Sequence, residues 1–397
     1  MNISCVGGGP AGLYFAILMK QLDRRHHLFV YERQPPDATY GWGVVFWHNL
    51  LAQLRATDGD VAHAMHDASV QWGSQALEID GRRTVRRSQG GGGFSIGRHR
   101  LLQILSKRAL EAGVSIEYGH DIERREDLAD ADVIVAADGA TSRLRETDMT
   151  RFGTEIADGA NMYIWLGTPK RFDGFTFALA RTDSGWIWFH GYPFSNEMST
   201  CVVECSSATW TGLAFDRLDS RVAMTKLSTL FATSLGGDPL LNRDSTWHKF
   251  RTVTNAHWYH ENVVLAGDAA HTTHFTIGSG TRLAFEDAIS LARHVHSCAS
   301  IPDALDAYER QRRAALAQPQ SEARFSARWF ENIERYAGLP DEQLFALLRE
   351  RRSPLLARIP PRWYYQLHHA TERFSIIGKL RGRVGPTARS GYSRLFG

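Results

Sequence analysis

Two patterns of apolar and polar positions divide the chain. In residues 2–22, NISCVGGGPAGLYFAILMKQL, a short apolar strand, a glycine turn and a helix with apolar residues at helical spacing follow one another. HLFVYER at 27–33 predicts a second strand. Apolar residues, a glycine turn and a helix recur at 131–146 and at 267–287. Strands that alternate with helices in this order predict a parallel α/β sheet.

The second pattern begins at Asn161. NMYIWLGTPKRF (161–172), FTFALARTDSGWIWFHGYPF (175–194) and MSTCVVECS (198–206) are rich in aromatic and β-branched residues. They predict a mixed or antiparallel sheet with one covered face. We therefore expect a discontinuous cofactor domain, an inserted β-sheet substrate domain and a C-terminal segment. Their expected bounds are 1–70, 95–150 and 258–345 for the first, 71–94 and 151–257 for the second, and 346–397 for the third.

Composition narrows the class of protein. With 397 residues, 43% of them hydrophobic and 22% charged, the chain is expected to be a soluble globular protein of two lobes. It has no apolar stretch long enough for a membrane span and no basic leader typical of a signal peptide. Scattered cysteines without CxxC spacing predict neither a zinc site nor disulfides. We expect a cytoplasmic monomer or homodimer that binds neither nucleic acid nor membranes.

The net charge of +3 is unevenly distributed along the chain. Residues 349–397 contain ten arginines, one lysine and two glutamates, a local net charge of +9. This segment is either a solvated tail or a basic surface for a phosphorylated ligand. A second basic cluster, Arg82, Arg83, Arg86 and Arg87, precedes SQGGGGFS (88–95), which is typical of a flexible loop or lid.

The first glycine turn has the pattern of a dinucleotide site. Gly7, Gly9 and Gly12 form G-x-G-x-x-G between the predicted strand and helix. These glycines permit the tight turn, the approach of backbone to a pyrophosphate and close packing of helix on strand. Glu32 ends the second strand twenty residues after Gly12, where a ribose diol needs an acceptor, and Arg33 follows it. The sequence therefore predicts a bound dinucleotide.

Three further motifs accompany these glycines. Arg98 begins R-x-x-L-x-x-x-L at a helix start, Asp138-Gly139 ends an apolar strand, and Gly267–Gly280 forms the third motif. With the N-terminal glycines, they resemble the ordered motifs of single-component flavin-dependent aromatic hydroxylases over residues 1–328. The resemblance implies the p-hydroxybenzoate-hydroxylase-like fold, a Rossmann-like FAD domain with an inserted mixed sheet.

It also implies the cofactors and the reaction. FAD is the expected bound nucleotide, NADH or NADPH a transient reductant and O2 the co-substrate. In such enzymes an electron-rich ring attacks a flavin C4a-hydroperoxide. No second G-x-G-x-x-G is present for the nicotinamide nucleotide, which agrees with a reductant that binds transiently.

The resemblance also assigns residues to the flavin. Asp268, after Gly267, is expected at the ribityl chain and pyrophosphate. Gly278 and Gly280 are expected to pass under the isoalloxazine, because only glycine lets backbone lie so close. The helix from Thr281 would direct its positive end at the flavin. The loop that ends at Gly43 is expected along the flavin edge.

Substrate contacts are expected on the sheet side of the ring. Many members of the family have Pro-Pro where this chain has His274-Phe275. The predicted substrate residues are Trp47, Tyr163, Trp165, Tyr192 and Phe275. The acid–base or hydrogen-bonding candidates are His48, His190 and His274, because imidazole titrates near neutral pH. A metal at His271 and His274 is not expected, since no third ligand has suitable spacing.

Several stretches narrow the resemblance to hydroxylases of aroyl-CoA thioesters, among them the salicylyl-CoA 5-hydroxylases and the monooxygenase half of the 2-aminobenzoyl-CoA monooxygenase/reductases. These stretches are YGWGVVFWHNL, NMYIWLGT, RFDGFTF, MSTCVVECS and HFTIGSGT. The alternative is a hydroxylase of a free aromatic or an indole intermediate derived from tryptophan. A halogenase is a weaker alternative, because GWIWFHGYP departs from the halogenase motif at His190 and Gly191. A non-catalytic flavoprotein and a reductase of isoprenoid-like substrates also share the FAD motifs.

Overall fold

The computed structural model describes residues 1–36, 38, 41–87 and 92–368. The strands are β1 Asn2–Val6, β2 His27–Glu32, β3 Gly43–Phe46, β4 Val70–Trp72, β5 Ser74–Ile79, β6 Arg82–Arg87, β7 Gly93–Gly97, β8 Ser115–Tyr118, β9 Val133–Ala136, β10 Thr154–Thr168, β11 Phe175–Thr182, β12 Gly185–Pro193, β13 Ser199–Ser206, β14 His248–Asn255, β15 Tyr259–His260 and β16 Val263–Leu265. The helices are α1 Pro10–Leu22, α2 His48–Thr57, α3 Gly59–Asp67, α4 Arg98–Ala112, α5 Arg143–Thr147, α6 Met149–Phe152, α7 Ser207–Gly212, α8 Ser220–Leu230, α9 Ala232–Leu235, α10 Gly280–Ser297, α11 Ile301–Glu331, α12 Glu334–Ala337 and α13 Asp341–Arg349, with short 3-10 turns at Arg125–Leu128, Gly267–Ala269 and Phe275–Ile277.

The first sheet has six strands in the order β15-β16-β9-β1-β2-β8. β1 pairs in parallel with β2 on one side and β9 on the other. The residues of β9 are all buried, as expected of a strand covered on both faces. α1 and α10 pack with these strands in one hydrophobic core. The predicted α/β fold with a parallel Rossmann-like sheet is confirmed.

The second sheet has seven strands in the order β14-β10-β13-β12-β11-β5-β6. Its pairings are antiparallel except that of β11 with β5, so the predicted mixed sheet is present. β10 begins at Thr154, earlier than the Asn161 expected from the aromatic pattern, because residues 154–158 pair with β14. A three-stranded sheet, β3-β7-β4, completes the strands of the described chain.

The long helix α11 connects the two larger sheets. At its start, the Tyr308 hydroxyl donates to the Leu265 carbonyl at 3.0 Å, beside the six-stranded sheet. Near its end, the Phe330 ring stacks on Trp188 of β12 with ring centroids 5.7 Å apart. One rigid element therefore fixes the parallel sheet relative to the mixed sheet. No described helix combines the length and the apolar character needed to cross a membrane.

The segment expected as either a solvated tail or a basic surface begins as packed structure. Leu347, Leu348 and Leu356 are each 1% exposed and belong to the core cluster that includes Leu77 of β5 and Phe177 of β11. Of these three residues only Leu356 belongs to the basic segment 349–397. Arg351 is also buried there, but Trp363 and Leu367 are exposed, so the segment is packed only in part and both interpretations stay open. Residues 369–397, which carry the rest of the basic segment, lie outside the described residues, as do 88–91 of the expected glycine-rich loop.

Candidate active site

The nucleotide turn is formed by glycines that differ in their surroundings. Gly7 has φ +108°, and a Cβ there would collide with the Ala137 carbonyl. A Cβ on Gly12 would collide with the Gly7 carbonyl, because helix α1 lies directly on the turn. A Cβ on Gly9, in contrast, would meet only the Ala137 oxygen at 3.9 Å. Space beside Gly9 is therefore open at the N-terminus of α1, where a pyrophosphate can bind.

The Glu32 carboxylate holds the same turn. One carboxylate oxygen accepts from the Gly8 amide at 2.7 Å and the other from the Gln34 amide at 2.8 Å. Each oxygen keeps a further lone pair, so a ribose diol can still be bound. Arg33, which follows Glu32 and was also predicted to bind the nucleotide, has an exposed side chain.

The Asp138 motif is linked to the Gly267 motif through a buried arginine. Arg145, fully buried, donates to the carbonyl of Ala140 at 2.7 Å and to that of Ala269 at 3.1 Å. Asp138 accepts from the Arg143 amide at 2.8 Å, while its Oδ1 is buried without a partner in the described chain. Burial raises the pKa of Asp138. An orphaned carboxylate oxygen at this position fits a ligand that donates hydrogen bonds.

Asp268 follows Gly267 in a short 3-10 turn. Its side chain is accessible, yet the protein around it raises its pKa, and the positive charges of His271 and Arg98 act in the opposite direction. A carboxylate that is exposed to solvent and yet surrounded by protein is expected to face a cleft. Such a carboxylate fits the hydroxyl groups of a ribityl chain or ribose. The donors, acceptors and open glycines of this cleft therefore fit FAD.

A buried network that the motifs did not predict holds the Gly267 turn. Asp287 accepts from the Gly267 amide at 2.9 Å, from His271 Nε2 at 2.8 Å and from Arg312 Nε at 2.7 Å. Burial would raise the pKa of Asp287, but these positive and donor groups lower it overall. His271 therefore has a structural role, because its Nε2 is hydrogen-bonded to Asp287. The only sequence signal was Asp287 itself, an acidic residue on the apolar face of α10.

A cavity of about 330 Å³ lies against the Gly278 turn. Gly278 has φ +62°, and a Cβ there would approach Val45 of β3 to 2.6 Å. Aromatic and aliphatic side chains make up much of the wall, and the charged residues among its described lining are all arginines of the C-terminal segment. The lining residues are Val45, Trp47, Gln75, Phe175, Phe177, Thr276, Ile277, Gly278, Arg349, Arg351 and Arg352. This cavity, with three aromatic side chains and three arginines in its wall, suits an aromatic ligand with negative charge.

The predicted substrate residues differ in whether they line this cavity. Trp47 lines the cavity. The Tyr192 hydroxyl donates to the Gly43 carbonyl at 2.7 Å, and its ring stacks on Phe175 with centroids 5.4 Å apart, so Tyr192 supports the wall from behind. Tyr163 and Phe275 pack together at 4.9 Å.

Trp165 of β10 does not line the cavity. Its ring packs beside Gly41, where a Cβ would collide with it. Phe175 and Phe177, which the sequence analysis did not select, occupy the wall instead, because the parallel pairing of β11 with β5 presents them there.

The candidate histidines do not line the cavity either. His190 is 2% exposed among Phe177, Phe275 and Phe330. Burial lowers the pKa of His190 to about 3. His274 Nδ1 lies 3.0 Å from the Thr276 hydroxyl, and burial lowers its pKa to about 4.

Both imidazoles are therefore neutral near neutral pH. They were selected because imidazole ordinarily titrates in this range, and that reason does not apply to them. His48 is exposed, with its ring edge-on to Phe94 at 4.7 Å. A role of these histidines in the reaction remains a prediction.

Glu204 is a buried carboxylate that the sequence analysis missed. It is 1% exposed in β13 and accepts from Asn161 Nδ2 at 2.8 Å and from Trp188 Nε1 at 3.1 Å. His190 Nε2 lies 3.4 Å from it. Burial raises the pKa of Glu204, while the nearby His274 and the hydrogen bonds from Asn161 and Trp188 act in the opposite direction. An acidic residue inside an otherwise apolar strand, VVECS, was the available signal.

Known proteins resemble the chain in both sequence and fold. The family model described as FAD binding domain matches residues 1–322. The salicyloyl-CoA 5-hydroxylase of a Streptomyces species is 36% identical over 345 residues, which are 85% of this chain and 66% of that protein. The 3-hydroxy-4-methyl-anthranilyl-[aryl-carrier protein] 5-monooxygenase of Streptosporangium sibiricum is 35% identical over 351 residues, 88% of this chain and 94% of that protein.

Among solved structures, 2-methyl-3-hydroxypyridine-5-carboxylic acid oxygenase in a tetrameric form has a TM-score of 0.70 at 20% identity, covering 91% of this chain and 96% of that one. At this identity the similarity supports the fold alone. The family model and the relative covered over 94% of its length support the activity class. The chain therefore belongs to the FAD-binding domain family and is a flavin-dependent aromatic monooxygenase.

Proposed function

We propose that this protein hydroxylates an electron-rich aromatic ring carried as a thioester, and that salicyloyl-CoA, hydroxylated at its 5-position, is the best candidate. NADH or NADPH and O2 are the co-substrates. The observation that carries the proposal is the cavity beside Gly278, whose wall is aromatic and whose charged residues are all arginines. Two relatives, an aroyl-CoA hydroxylase and an aryl-carrier-protein monooxygenase, support a thioester.

We further propose which residues hold FAD. The pyrophosphate would lie at the open side of Gly9, and Glu32 and Asp268 would accept hydrogen bonds from hydroxyl groups. The full set proposed for the cofactor is Gly7, Gly9, Gly12, Glu32, Arg33, Gly43, Arg98, Asp138, Gly267, Asp268, Gly278, Gly280 and Thr281. When bound, FAD takes up a hydride from the nicotinamide and supplies activated oxygen.

The protein's own contribution is positioning and exclusion of water. Trp47, Phe175 and Phe177 offer flat apolar surfaces that orient a ring, and close placement of the reacting groups lowers the barrier. The Tyr192 hydroxyl fixes the Gly43 carbonyl and keeps β3 against this wall. No carboxylate lines the cavity, so an anionic ring keeps its charge there.

The basic clusters differ in how their charge is balanced. On β6, Arg82 lies 2.9 Å from Asp341, and Arg86 lies 3.8 Å from Glu342. Arg83 lies 3.3 Å from both Glu78 and Asp173. Arg349, at the cavity, is exposed and has no ion pair with a described residue. Arg87 on β6 likewise has no ion pair with a described residue, and Arg352 pairs with Glu322, so the two clusters differ only in part. Arg349 is the better candidate for the phosphates of a thioester carrier because it also lies at the cavity, where a guanidinium can bind them bidentately.

A free aromatic acid is the second candidate, because the same arginines would bind a carboxylate. Product mass from a panel of hydroxy- and aminoaroyl-CoA thioesters and the matching free acids tests the choice. We expect a hydroxylated thioester, stimulated NAD(P)H oxidation, and a KM that rises steeply with ionic strength, since salt screens exposed charges. Equal hydroxylation of the free acid without salt dependence would replace the thioester with a free substrate.

A further inference from the structure

Arg351 is a buried cation without a buried anion. Its residue is 9% exposed. The only charged residue that acts on its pKa among those described is Arg352, which is also positive, and burial lowers the pKa of Arg351 to about 9. A guanidinium removed from water without a counter-ion is costly for the folded state. Its retention at a cavity wall therefore requires an explanation.

The other buried arginines of the described chain are compensated. Arg312 is 6% exposed, and its Nε lies 2.7 Å from Asp287. Arg145 is 0% exposed, and its Nη2 lies 3.6 Å from Glu146. Arg352, the half-buried neighbour of Arg351 at the cavity, also has a carboxylate partner, Glu322, at 3.4 Å. Arg351 thus departs from the pattern of this protein, and it does so where the cavity is.

The contacts of Arg351 fix its guanidinium and leave donors free. Nε donates to the Ser326 hydroxyl at 3.0 Å, Nη1 to the Leu348 carbonyl at 2.9 Å and Nη2 to the Thr276 carbonyl at 2.8 Å. A guanidinium has five N–H donors, so two remain. Its Cζ lies 5.3 Å from the centre of the Phe177 ring, which is also a wall of the cavity. The group is held rigidly by neutral oxygens beside an aromatic surface.

We propose that Arg351 binds a ring-borne oxyanion of the substrate, the phenolate of a hydroxyaroyl thioester, and so selects rings with an ionisable hydroxyl group. This inference rests on the proposed function and deepens it. In a thioester the ring carboxyl is no longer charged, so the phenolate is the anion that a buried guanidinium would meet. The exposed Arg349 is left for the carrier, because the cavity arginines pass from buried Arg351 to exposed Arg349.

Binding to the FAD-loaded protein tests the proposal without turnover. The ligands are 2-hydroxybenzoyl-CoA and benzoyl-CoA, and their Kd values are measured by calorimetry for wild type, Arg351→Gln and the control Arg82→Gln. Hydrogen bonds to charged groups are strong, so the ring hydroxyl should tighten binding by about tenfold or more in wild type and Arg82→Gln. Arg351→Gln should lose this preference while binding benzoyl-CoA as before.

The absorbance of bound 2-hydroxybenzoyl-CoA supplies a second readout. In wild type the ligand should bind as phenolate, at a pH at which the free ligand is still protonated, and in Arg351→Gln it should bind as the neutral phenol. Arg351→Lys keeps the charge and should keep part of the phenolate signal, even if the glutamine variant fails to fold. A purely structural role would lower the affinity for both CoA ligands equally and leave the bound ionisation state unchanged.

The outcomes are distinguishable. If wild type binds neither thioester, the proposed function fails. If both thioesters bind but wild type holds a neutral phenol, or if Arg351→Gln keeps the preference, the assignment of Arg351 is overturned while the thioester proposal stands. If free 2-hydroxybenzoate binds more tightly than the thioester and depends on Arg351, the anion is a carboxylate and the phenolate assignment is wrong.

Discussion

The proposed cofactor cleft and the proposed substrate cavity are built in different ways. The cleft consists largely of backbone groups and glycines within short motifs, such as the turn from Gly7 to Gly12 with its open side at Gly9. The cavity is assembled from side chains distant in sequence, from Val45 to Arg352. Backbone that must approach a ligand constrains residue type strongly, whereas a cavity wall tolerates many side chains. The cleft thus defines the enzyme class and the cavity the individual substrate.

Gly12→Val should have the largest effect of any change in the cleft. The new side chain would collide with the Gly7 carbonyl, and backbone cannot give way cheaply. We expect a loss of at least about 3 kcal/mol in the free energy of unfolding, measured by urea denaturation of the apoprotein. A variant as stable as wild type would show that helix α1 does not lie on the turn as described.

Gly9→Val should separate cofactor binding from folding. A Cβ at Gly9 meets only one protein atom, at 3.9 Å, so the protein should fold with near wild-type far-UV circular dichroism. The valine would occupy the space proposed for the pyrophosphate, and FAD content should fall to near zero. Retention of stoichiometric FAD would contradict the proposed cofactor position.

The cleft was predictable from the sequence, whereas the wall of the cavity was not. The order of strand, turn and helix around Gly7 is local, and so are the Asp138 and Asp268 motifs, which made the parallel sheet and its cleft predictable. The sequence did not show that β11 lies beside β5, which places Phe175 and Phe177 in the cavity wall. Long-range strand pairing is not encoded in a window of neighbouring residues.

The ion-pair partners of the arginines could not be predicted from the sequence either. The C-terminal arginines and those of β6 looked alike in the sequence, but carboxylates of α13 pair with Arg82 and Arg86. The pairing partner of a charge depends on tertiary packing. The burial of a titratable group also depends on tertiary packing, and burial lowers the pKa values of His190 and His274. A role of the candidate histidines in the reaction stays a prediction.

Asp268→Ala should weaken FAD binding without unfolding the protein. The side chain faces the cleft and not the core, and loss of a hydrogen bond to a charged group costs about 1.5–3 kcal/mol. We therefore expect the Kd for FAD to rise by about tenfold or more, measured by fluorescence titration of the apoprotein. Asp268→Asn keeps the shape and serves as the control. Unchanged FAD affinity in both variants would remove Asp268 from the proposed site.

The half-buried His274 should make stability depend on pH below neutrality. Its folded pKa of about 4 is below its ordinary value of 6.5, so acid protonates the unfolded state first. The stability contributed by the neutral imidazole is present above pH 6.5 and is lost as the pH falls towards 4. Melting temperatures over this range should decline more steeply for wild type than for His274→Asn. Identical slopes would indicate that His274 titrates as an exposed histidine.

Arg82→Gln should have the smallest effect. Its guanidinium pairs with Asp341 at the surface, outside the cavity, and exposed ion pairs contribute little to stability. We expect the KM for an aroyl-CoA to change less than about twofold, whereas Arg349→Gln should raise it more at low salt. If Arg82→Gln raised the KM more than Arg349→Gln, the carrier would bind at β6 instead.

The most direct test of the account as a whole is the fate of oxygen. The FAD-loaded protein is supplied with NAD(P)H, 2-hydroxybenzoyl-CoA and isotopically labelled O2, and the thioester product is examined by mass spectrometry. The account predicts a dihydroxybenzoyl-CoA in which one ring oxygen comes from the labelled gas. Release of all labelled oxygen as hydrogen peroxide, with the thioester unchanged, would contradict it.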